Sequence, residues 1–277
     1  MPNLAAALRD AEQRLAQTSP SARLDAEVLL AHVLHKPRSY LTAWPAKRLP
    51  DEALVYYAKL VERRAAGHPV AHLTGEREFW SLSLEVSDAT LVPRPETELL
   101  VERAAAIVTR TAASRLLDLG TGSGAIALAL ALKIPQLSVT ASDISGDALQ
   151  VAERNRKTLG ADNVRLVYSN WFENLDDCYE VIVANPPYVA SDDPHLREGD
   201  VCFEPRLALD GGDDGLACLD NIIRHAPRRL ARGGWLILEH GFDQGAAVRE
   251  RLSAAGFTAI ETQRDLAGHE RVSAGRR

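Results

Sequence analysis

The sequence predicts an α/β protein in which a doubly wound, mostly parallel sheet follows a small helical domain. From residue 115 onward, short apolar runs that suit buried strands alternate with helical patterns, whereas residues 1–75 show helical periodicity alone. Repeated strand–helix–strand units give a parallel sheet with helices on both faces. The 277 residues, 46% of them hydrophobic and 25% charged, suffice for two modest domains that each bury a core.

The first 75 residues are expected to form helices. Apolar side chains recur at helical spacing from Leu4 to Leu15. We expect a second helix that Ser19 caps, with Pro20 in its first turn, and a third helix over residues 51–66.

A short hairpin and a proline-containing connector are predicted between the two domains. Residues 78–86 have the pattern of a hairpin, and Pro93 and Pro95 follow before a helix begins. Because prolines restrict the backbone, this connector is a shaped link and not a loose tether. The predicted division is a helical domain over 1–75, a hairpin and connector over 76–96, and a sheet domain over 97–277.

The sheet domain is expected to alternate strands and helices. Strands are predicted at 115–120, 138–143, 164–170, 181–185, 235–241, 257–262 and 271–275, and helices at 123–132, 146–159, 216–230 and 246–255. Ligands of such sheets bind beyond the carboxyl ends of the strands, near the position where the strand order switches. The residues directly after the strands are therefore the candidates for a functional site.

The charge distribution argues against one class of function. The chain carries 32 Lys and Arg residues against 38 Asp and Glu residues, a formal net charge of −6. A protein that binds nucleic acid over its whole surface would carry an excess of positive charge. Residues 1–75 nevertheless hold ten basic and seven acidic side chains. The two predicted domains thus differ in charge and are expected to have different tasks.

Cysteine use and hydropathy indicate a cytoplasmic protein without a membrane span or a bound metal. Cys178, Cys202 and Cys218 form no C-x-x-C pair, so neither a disulfide framework nor a zinc site is expected. The longest apolar run, residues 125–132, is far shorter than the roughly 20 residues that span a bilayer. The first residues lack the basic segment of a secretory signal.

Three glycines lie in the turn between the first strand of the sheet and the helix after it. Gly120, Gly122 and Gly124 stand in the run DLGTGSG. Without Cβ atoms such a turn adopts positive φ angles and lets a ligand lie against the backbone, while free N–H groups at the helix start favour an anionic group. The pattern indicates a nucleotide-like cofactor. However, Gly120, Gly122 and Ala125 also satisfy the dinucleotide fingerprint G-x-G-x-x-A, and a tight turn without a ligand uses the same glycines.

Asp143 ends the next predicted strand, 23 residues after Gly120. A carboxylate at that position can accept hydrogen bonds from both hydroxyls of an adenosine ribose. The acid therefore favours an adenosine-containing cofactor, a description that both NAD and S-adenosylmethionine meet. The alternative is an acid that caps the helix after the strand.

The run Asn185-Pro186-Pro187-Tyr188 directly follows an apolar strand and favours S-adenosylmethionine over NAD as the cofactor. Because the prolines restrict the backbone, the side-chain oxygen of Asn185 and the carbonyl of Pro186 are held as two acceptors facing one point. Two such acceptors suit a planar NH2 group, and they stabilise the positive charge that grows on its nitrogen during methyl transfer. Tyr188 would form a wall of the pocket with its π face toward that charge.

Together these motifs resemble one family. The runs DLGTGSG, PRPETELL, NPPY and FEPRLALDGGDDG, with Asp143, are similar to those of the bacterial release factor glutamine methyltransferases, the HemK/PrmC family. The resemblance covers nearly the whole chain, including the N-terminal helical domain. NPPY alone is shared with DNA and RNA amino-methyltransferases, whereas its combination with PRPETE and FEPRLALDGG is far more specific.

The resemblance implies a Rossmann-like class I methyltransferase domain and a helical domain, residues 1–75, that recognises the substrate. Such enzymes transfer a methyl group from S-adenosylmethionine to the side-chain amide nitrogen of the glutamine in the GGQ motif of class I peptide chain release factors, leaving S-adenosylhomocysteine. The implied cofactor-binding residues are Gly120, Thr121, Gly122, Ser123, Gly124, Asp143, Trp171 and Asn185. The implied glutamine-binding residues are Asn185, Pro186, Pro187 and Tyr188, of which Asn185, Pro186 and Tyr188 would be catalytic.

Other functions remain open from the sequence. A ribosomal-protein glutamine methyltransferase would differ only in the connector and the N-terminal domain. A DNA or RNA amino-methyltransferase should carry a basic recognition domain, which the net charge of −6 opposes. An NAD oxidoreductase would use the glycine loop but gives NPPY no task. Glu239 and His240 stand at a strand end, where general-base catalysis is conceivable; we favour a structural role because the product amide can lose its proton to water.

Overall fold

A computed structural model describes residues 2–277 and divides into two compact units. The first unit contains the chain up to Glu76 together with Glu198–Phe203, and the second contains Arg77–Arg197 with Glu204–Arg277. Six residues from far along the chain thus return to the first unit. The division predicted from the sequence does not include this returning segment.

The first unit is helical. Its helices are α1 (Leu4–Leu15), α2 (Ala22–Leu34), α3 (Arg38–Ala43), α4 (Asp51–Ala65) and α5 (Val70–Thr74). Leucine and alanine side chains of α1 and α2 pack with Tyr57, Leu60 and Val61 of α4 in a buried core. Helices α3 and α5 are too short to show an apolar period, which is why the sequence pattern does not predict them.

The start of α2 differs from the prediction. Ser21, and not Ser19, is the residue before the first helical position, and Pro20 lies outside the helix. The carboxylate of Asp25 explains the difference, because it accepts hydrogen bonds from the Ser19 hydroxyl at 2.7 Å and from the Ser21 hydroxyl at 2.9 Å. Both serines are thereby held in the turn that precedes the helix.

A buried arginine ties the returning segment to the first unit. The Arg64 side chain is 5% exposed; its Nε lies 2.6 Å from Asp25 Oδ2 and its Nη1 lies 2.6 Å from Asp200 Oδ1. Near this pair the ring of Phe203 packs against the ring of His68, with centroids 4.2 Å apart. These contacts give Glu198–Phe203 a fixed place among the helices.

The second unit contains a hairpin, a large sheet and its helices. The hairpin is β1 (Glu76–Phe79) and β2 (Leu82–Glu85), and the elements after it are α6 (Glu98–Thr111), β3 (Arg115–Leu119), α7 (Ala125–Lys133), β4 (Ser138–Asp143), α8 (Gly146–Leu159), β5 (Val164–Tyr168), β6 (Tyr179–Ala184), α9 (Ala217–His225), β7 (Leu230–Glu239), α10 (Gly245–Ala254), β8 (Thr258–Arg264) and β9 (Glu270–Arg276).

The sheet has seven strands in the order β5-β4-β3-β6-β7-β9-β8. The five strands from β5 to β7 are parallel, and β9 is antiparallel to both of its neighbours. The chain runs outward from β3 through β4 to β5 and then returns to place β6 on the other side of β3. The strand order therefore switches between β3 and β6, where a ligand crevice is expected.

Successive side chains of the strands enter two different cores. Leu116 of β3 belongs to a core with residues of α6 and α7, whereas Leu117 belongs to a core with residues of α9 and α10. Strand side chains alternate between the faces, so a sheet that is covered on both sides needs apolar residues at consecutive positions. The predicted doubly wound α/β fold is confirmed.

The observed elements differ from the prediction mainly at their ends. The helix expected over 216–230 stops at His225, and β7 already begins at Leu230, before the apolar run that signals it. None of the helices within residues 2–277 combines the length and the apolar character that crossing a membrane requires.

Candidate active site

A cavity of about 220 Å³ opens at the carboxyl ends of the parallel strands. Four neighbouring strands each contribute a residue to its lining: Gly120 after β3, Asp143 at the end of β4, Ser169 after β5 and Asn185 after β6. The glycine loop, the acid and the NPPY run are far apart in sequence, and the sheet brings them to one crevice.

The glycine loop is held by the backbone of the neighbouring strand. The N–H groups of Gly120 and Thr121 both donate to the carbonyl of Ser142, at 2.8 and 2.9 Å. Gly120 and Gly122 have φ angles of +70° and +56°, the left-handed region that suits glycine. Both line the cavity.

The other three residues of the predicted loop set do not line the cavity. The hydroxyl of Thr121 donates to Asp118 Oδ2 at 2.6 Å, and the carbonyl of Ser123 accepts a hydrogen bond from Asn155 at 2.9 Å. A Cβ atom on Gly124 would stand 2.9 Å from Leu128 Cδ1. In this arrangement the three residues support the loop from below, and their predicted contact with a cofactor stays a prediction.

The carboxylate of Asp143 is tied to the glycine loop. Its Oδ2 accepts the N–H of Gly122 and its Oδ1 accepts the N–H of Ser145, both at 2.8 Å. Burial raises its pKa, and these backbone hydrogen bonds oppose the rise. Each carboxylate oxygen accepts more than one hydrogen bond, so the group can hold the loop and still accept from two hydroxyls in the cavity.

Apolar side chains line the cavity together with Asp143. The ring of Trp171 lies against the loop, since a Cβ atom on Gly120 would be 3.8 Å from Trp171 Cζ3. Ile144 and Leu207 also line the cavity, and both are largely exposed. Apolar walls together with a carboxylate match an adenosine, which offers a flat base and two ribose hydroxyls. The residues present therefore fit the expected adenosine-containing cofactor.

A second carboxyl, Asp118, lies below the glycine loop. It is fully buried, and desolvation raises its pKa to about 7 although Thr121 donates to its Oδ2. Its other oxygen, Oδ1, has no partner at hydrogen-bond distance and angle within residues 2–277, although the backbone N–H of Ala127 is near enough to lower the pKa of the carboxyl. A buried unpaired acceptor at the end of a strand is unfavourable for folding alone, which is consistent with a role in the site.

The NPPY run supplies an acceptor at the same cavity. The Nδ2 atom of Asn185 donates to the hydroxyl of Thr97 at 3.1 Å. Since Nδ2 is engaged, Oδ1 is the amide atom left to accept a hydrogen bond from a ligand. Asn185 and Pro187 line the cavity, whereas Pro186 is buried.

Tyr188 is directed toward a buried acid. Its hydroxyl donates to Glu239 Oε1 at 3.2 Å, and it is not among the residues that line the cavity. Burial raises the pKa of this phenol, so Tyr188 stays neutral at physiological pH. The predicted wall function of its ring stays a prediction.

Two glycines of the run DGGDDG explain why that run accompanies NPPY. A Cβ atom on Gly211 would stand 2.8 Å from the carbonyl oxygen of Pro187, and one on Gly215 would overlap the carbonyl oxygen of Tyr188. The loop can lie against the NPPY backbone only because these side chains are absent. Gly211 N–H also donates to the carbonyl of Val189 at 2.8 Å.

Sequence reasoning missed two residues that hold the site together, Thr97 and Glu204. The buried carboxylate of Glu204 accepts the N–H of Val92 at 3.0 Å and pairs with Arg94. It thus ties the connector to the segment of Leu207. The quoted runs PRPETELL and FEPRLALDGGDDG contain Thr97 and Glu204, but nothing in either run shows what each side chain meets.

No group of three or more His, Cys, Asp or Glu side chains within residues 2–277 is arranged to hold a metal ion. His240 is also accounted for by the fold. Its Nε2 is 2.8 Å from the hydroxyl of Ser273, and burial lowers its pKa.

Family models and solved structures show which class of protein this chain resembles. Family models match the chain over residues 6–75 (PrmC N-terminal domain) and over residues 95–199 (Methyltransferase small domain). A crystal structure of a methyltransferase from Pyrococcus furiosus, 19% identical, covers 79% of this chain and 98% of its own with a TM-score of 0.54. A ribosomal protein L11 methylase from Lactobacillus delbrueckii, also 19% identical, covers 69% of this chain and 83% of its own with a TM-score of 0.51. The fold and the site define a methyltransferase.

Curated relatives of higher identity narrow the class. The release factor glutamine methyltransferase of Pseudomonas aeruginosa is 52% identical over 258 residues, 93% of each chain. That of Escherichia coli is 47% identical over 270 residues, 97% of each chain. The chain belongs to the family of release factor glutamine methyltransferases.

The raised pKa of Asp118 predicts a specific pH dependence of stability. Its folded pKa of about 7 exceeds the usual 3.8, so the unfolded chain releases this proton first as pH rises. Stability from the protonated carboxyl is therefore full below pH 4 and is lost as pH rises to 7, by about 4 kcal/mol at 1.36 kcal/mol per pKa unit.

Urea unfolding of the wild type and Asp118→Asn at pH 5, 6, 7 and 8 measures this loss. The difference between the two proteins cancels the titration of Glu239, which both contain. We expect the free energy of unfolding of the wild type to fall relative to that of the variant as pH rises to 7. Above pH 7 the difference between the two should stay constant. A difference that does not change with pH contradicts the assignment.

Proposed function

We propose that this methyltransferase transfers a methyl group from S-adenosylmethionine to the side-chain amide nitrogen of the glutamine in the GGQ motif of class I peptide chain release factors. The main structural support is the orientation of Asn185, whose Nδ2 is bound to Thr97 and whose Oδ1 is left as an acceptor. The names of the curated relatives, which match over nearly the whole chain, support the same substrate.

The cavity supports S-adenosylmethionine as the methyl donor. Asp143 would accept the ribose hydroxyls, Gly120 and Gly122 would lie against the ligand, and Trp171 would flank the base; all four residues line the cavity. NAD shares the adenosine, but the hydride chemistry of NAD leaves the acceptors after β6 without a task.

The catalytic work of the chain is positioning and charge stabilisation. When bound, S-adenosylmethionine would supply an electrophilic methyl group to the glutamine nitrogen in one in-line displacement, without a covalent enzyme intermediate. The S–CH3 bond would break as S-adenosylhomocysteine leaves, and the methylated nitrogen would lose one proton to water. Asn185 Oδ1 and the Pro186 carbonyl accept the two amide hydrogens and aim the nitrogen. They also stabilise the positive charge that grows on it. Orientation of two reactants contributes up to roughly 7–11 kcal/mol to such a step.

The substrate protein needs more contact than one side chain provides. A glutamine fills only a small part of the pocket, so a second surface must supply binding energy. We assign this task to the helical unit, because residues 1–75 have a net positive charge whereas the chain as a whole is net negative. No nucleic acid, membrane or metal partner is proposed. Because release factors act during translation, we place the protein in the cytoplasm.

Mass spectrometry of purified release factors after incubation with the enzyme and S-adenosylmethionine tests the function directly. We expect a mass increase of one methyl group on the glutamine of GGQ. Ribosomal proteins and DNA in parallel reactions represent the alternative substrates. Methylation of those and not of release factors would replace the proposal.

Asp143→Ala should weaken S-adenosylmethionine binding by at least about tenfold, since the loss of even one hydrogen bond to a charged group costs about 1.5–3 kcal/mol. Calorimetric titration gives the affinity, and Asp147→Ala, an exposed acid on α8, is the matched control. Because Asp143 also holds Gly122 and Ser145, thermal unfolding must confirm that the variant is folded. An unchanged affinity in a folded variant would show that Asp143 does not bind the cofactor.

Asn185→Ala should reduce turnover far more than cofactor binding, because its acceptor acts mainly as charge develops on the nitrogen. Loss of one such contact commonly costs about 10²–10³ in rate. Single-turnover methylation of the release factor at saturating S-adenosylmethionine measures this rate. Asn221→Ala, an exposed residue of α9, serves as the control. If the variant keeps more than half of the wild-type rate, Asn185 is not a catalytic residue.

A chain that begins at Leu73 should still bind S-adenosylmethionine but methylate intact release factor far more slowly. The loss should appear in KM if the helical unit only holds the substrate, and also in kcat if it aligns the substrate. A short GGQ peptide, which cannot reach the missing helices, should be an equally poor substrate for both proteins. Equal rates on intact release factor would show that the helical unit has another role.

The returning segment supplies a second form of this test. Removing residues 1–72 takes away Arg64 and His68, which contact Asp200 and Phe203. In the truncated chain the ring of Phe203 has lost its partner His68 and could cause aggregation. Phe203→Ser removes this ring, so a rate that stays low in the double variant is not caused by aggregation through Phe203.

A further inference from the structure

Trp171 lines the cavity with an unusual backbone conformation. Its φ angle is +48°, in the left-handed region that residues with a Cβ atom rarely adopt. Other non-glycine residues within 2–277 with such an angle lie at helix ends, in the hairpin turn or at an irregular position of β8: His35, Ala112, Trp80, Ser81 and Ala259. Trp171 stands in none of these settings, so its surroundings must hold its backbone in place.

The hydroxyl of Ser169 holds this turn. It donates to the carbonyl of Trp171 at 2.8 Å and accepts the N–H of Asn174 at 3.1 Å. The N–H of Ser169 donates to the carbonyl of Asp143 at 3.0 Å, which fastens the turn to the strand that carries the acid of the site. Ser169 is 2% exposed, so water does not compete for its hydroxyl. One buried side chain thus closes the turn that contains Trp171.

The left-handed backbone decides where the ring of Trp171 lies. A rotation about φ swings the Cα–Cβ bond relative to the preceding strand. In the observed conformation the ring lies against the glycine loop, 3.8 Å from the place of a Cβ atom on Gly120. A right-handed backbone, which a tryptophan prefers, would direct the ring elsewhere. The wall of the cavity therefore depends on a conformation that Trp171 would not adopt by itself.

We propose that Ser169 is a positioning residue that holds Trp171 in its left-handed conformation, so that the indole ring forms a wall for the flat base of the cofactor. Ser169 does not donate to the ligand in this scheme, because its one hydroxyl proton is directed to the Trp171 carbonyl. The proposal rests on the proposed function, because it takes S-adenosylmethionine as the ligand of the cavity. The placement of the ring can be measured without a protein substrate.

A double-mutant cycle separates positioning of the ring from other effects of the hydroxyl. Ser169→Ala removes the hydroxyl, and Trp171→Ala removes the ring. If Ser169 acts only through the ring, its removal has no further effect once the ring is absent. Ser273→Ala is the matched control, because Ser273 of β9 is fully buried and its hydroxyl is also hydrogen-bonded, to His240.

Calorimetric titration with S-adenosylmethionine gives the first readout. We expect Trp171→Ala to weaken binding about tenfold, within the range that stacking of one base on an aromatic ring provides, and Ser169→Ala to approach this loss. Adding Ser169→Ala to Trp171→Ala should change the affinity less than about twofold, and Ser273→Ala should bind as the wild type does. An unchanged affinity in folded Ser169→Ala, or an equal loss with and without the ring, overturns the proposal.

Methylation kinetics separate cofactor binding from the chemical step. The ring would contact the base equally before and during methyl transfer, so Ser169→Ala should raise KM for S-adenosylmethionine and leave kcat at saturating cofactor unchanged. A lower kcat with an unchanged KM contradicts the proposed role.

Fluorine NMR of protein that carries 5-fluorotryptophan gives a readout without a release factor. Trp171→Phe identifies the Trp171 resonance among the four tryptophans. We expect this resonance to move when S-adenosylmethionine binds, to move or broaden in ligand-free Ser169→Ala, and to stay in place in Ser273→Ala. An identical resonance in the wild type and folded Ser169→Ala overturns the proposal, even if Trp171→Ala does not fold. If the ring responds as expected but release factors are not methylated, the proposed function fails and the positioning role stands.

Discussion

The site depends on the parallel alignment of three central strands. Because β4, β3 and β6 lie side by side and run in one direction, their carboxyl ends meet at one edge. The glycine loop, Asp143 and Asn185 follow these ends, so segments separated by more than 20 residues converge without any direct sequence signal. The switch in strand order between β3 and β6 keeps the crevice between them open. Every contact of the proposed cofactor and substrate is built on this arrangement.

Buried carboxyls fasten the loops that border the crevice. Asp143 holds the glycine loop, Glu204 holds the connector, and Glu239 accepts a hydrogen bond from Tyr188 of the NPPY run. Burial of an acid is unfavourable, as the raised pKa of Asp118 and Glu239, each about 7, indicates. Asp143 and Glu204 accept several hydrogen bonds, whereas Asp118 and Glu239 each have one carboxyl oxygen without a hydrogen-bond partner within residues 2–277. Burying these acids lowers the stability of the fold. In return the loops keep one conformation, which the positioning of two reactants requires.

The long irregular segment between β6 and α9 is ordered by contacts at several points. Gly211 allows it to lie against the NPPY backbone, Glu204 ties it to the connector, and Glu198–Phe203 packs among the helices of the first unit. A segment without regular structure needs such anchors because it satisfies few of its own backbone groups. The same stretch of chain therefore borders the proposed catalytic site and belongs in part to the unit to which we assign substrate recognition.

The sequence alone determined the fold class, the glycine turn and the restricted backbone of the NPPY run. Strand periodicity, positive φ angles and proline restriction each depend only on neighbouring residues. They also placed Asp143 and Asn185 at strand ends. Only the tertiary structure decided that Asn185 meets Thr97, 88 positions earlier, and that Tyr188 meets Glu239, 51 positions later. The direction of a hydrogen bond depends on which group lies opposite, and the pairing of distant strands and loops determines that neighbour.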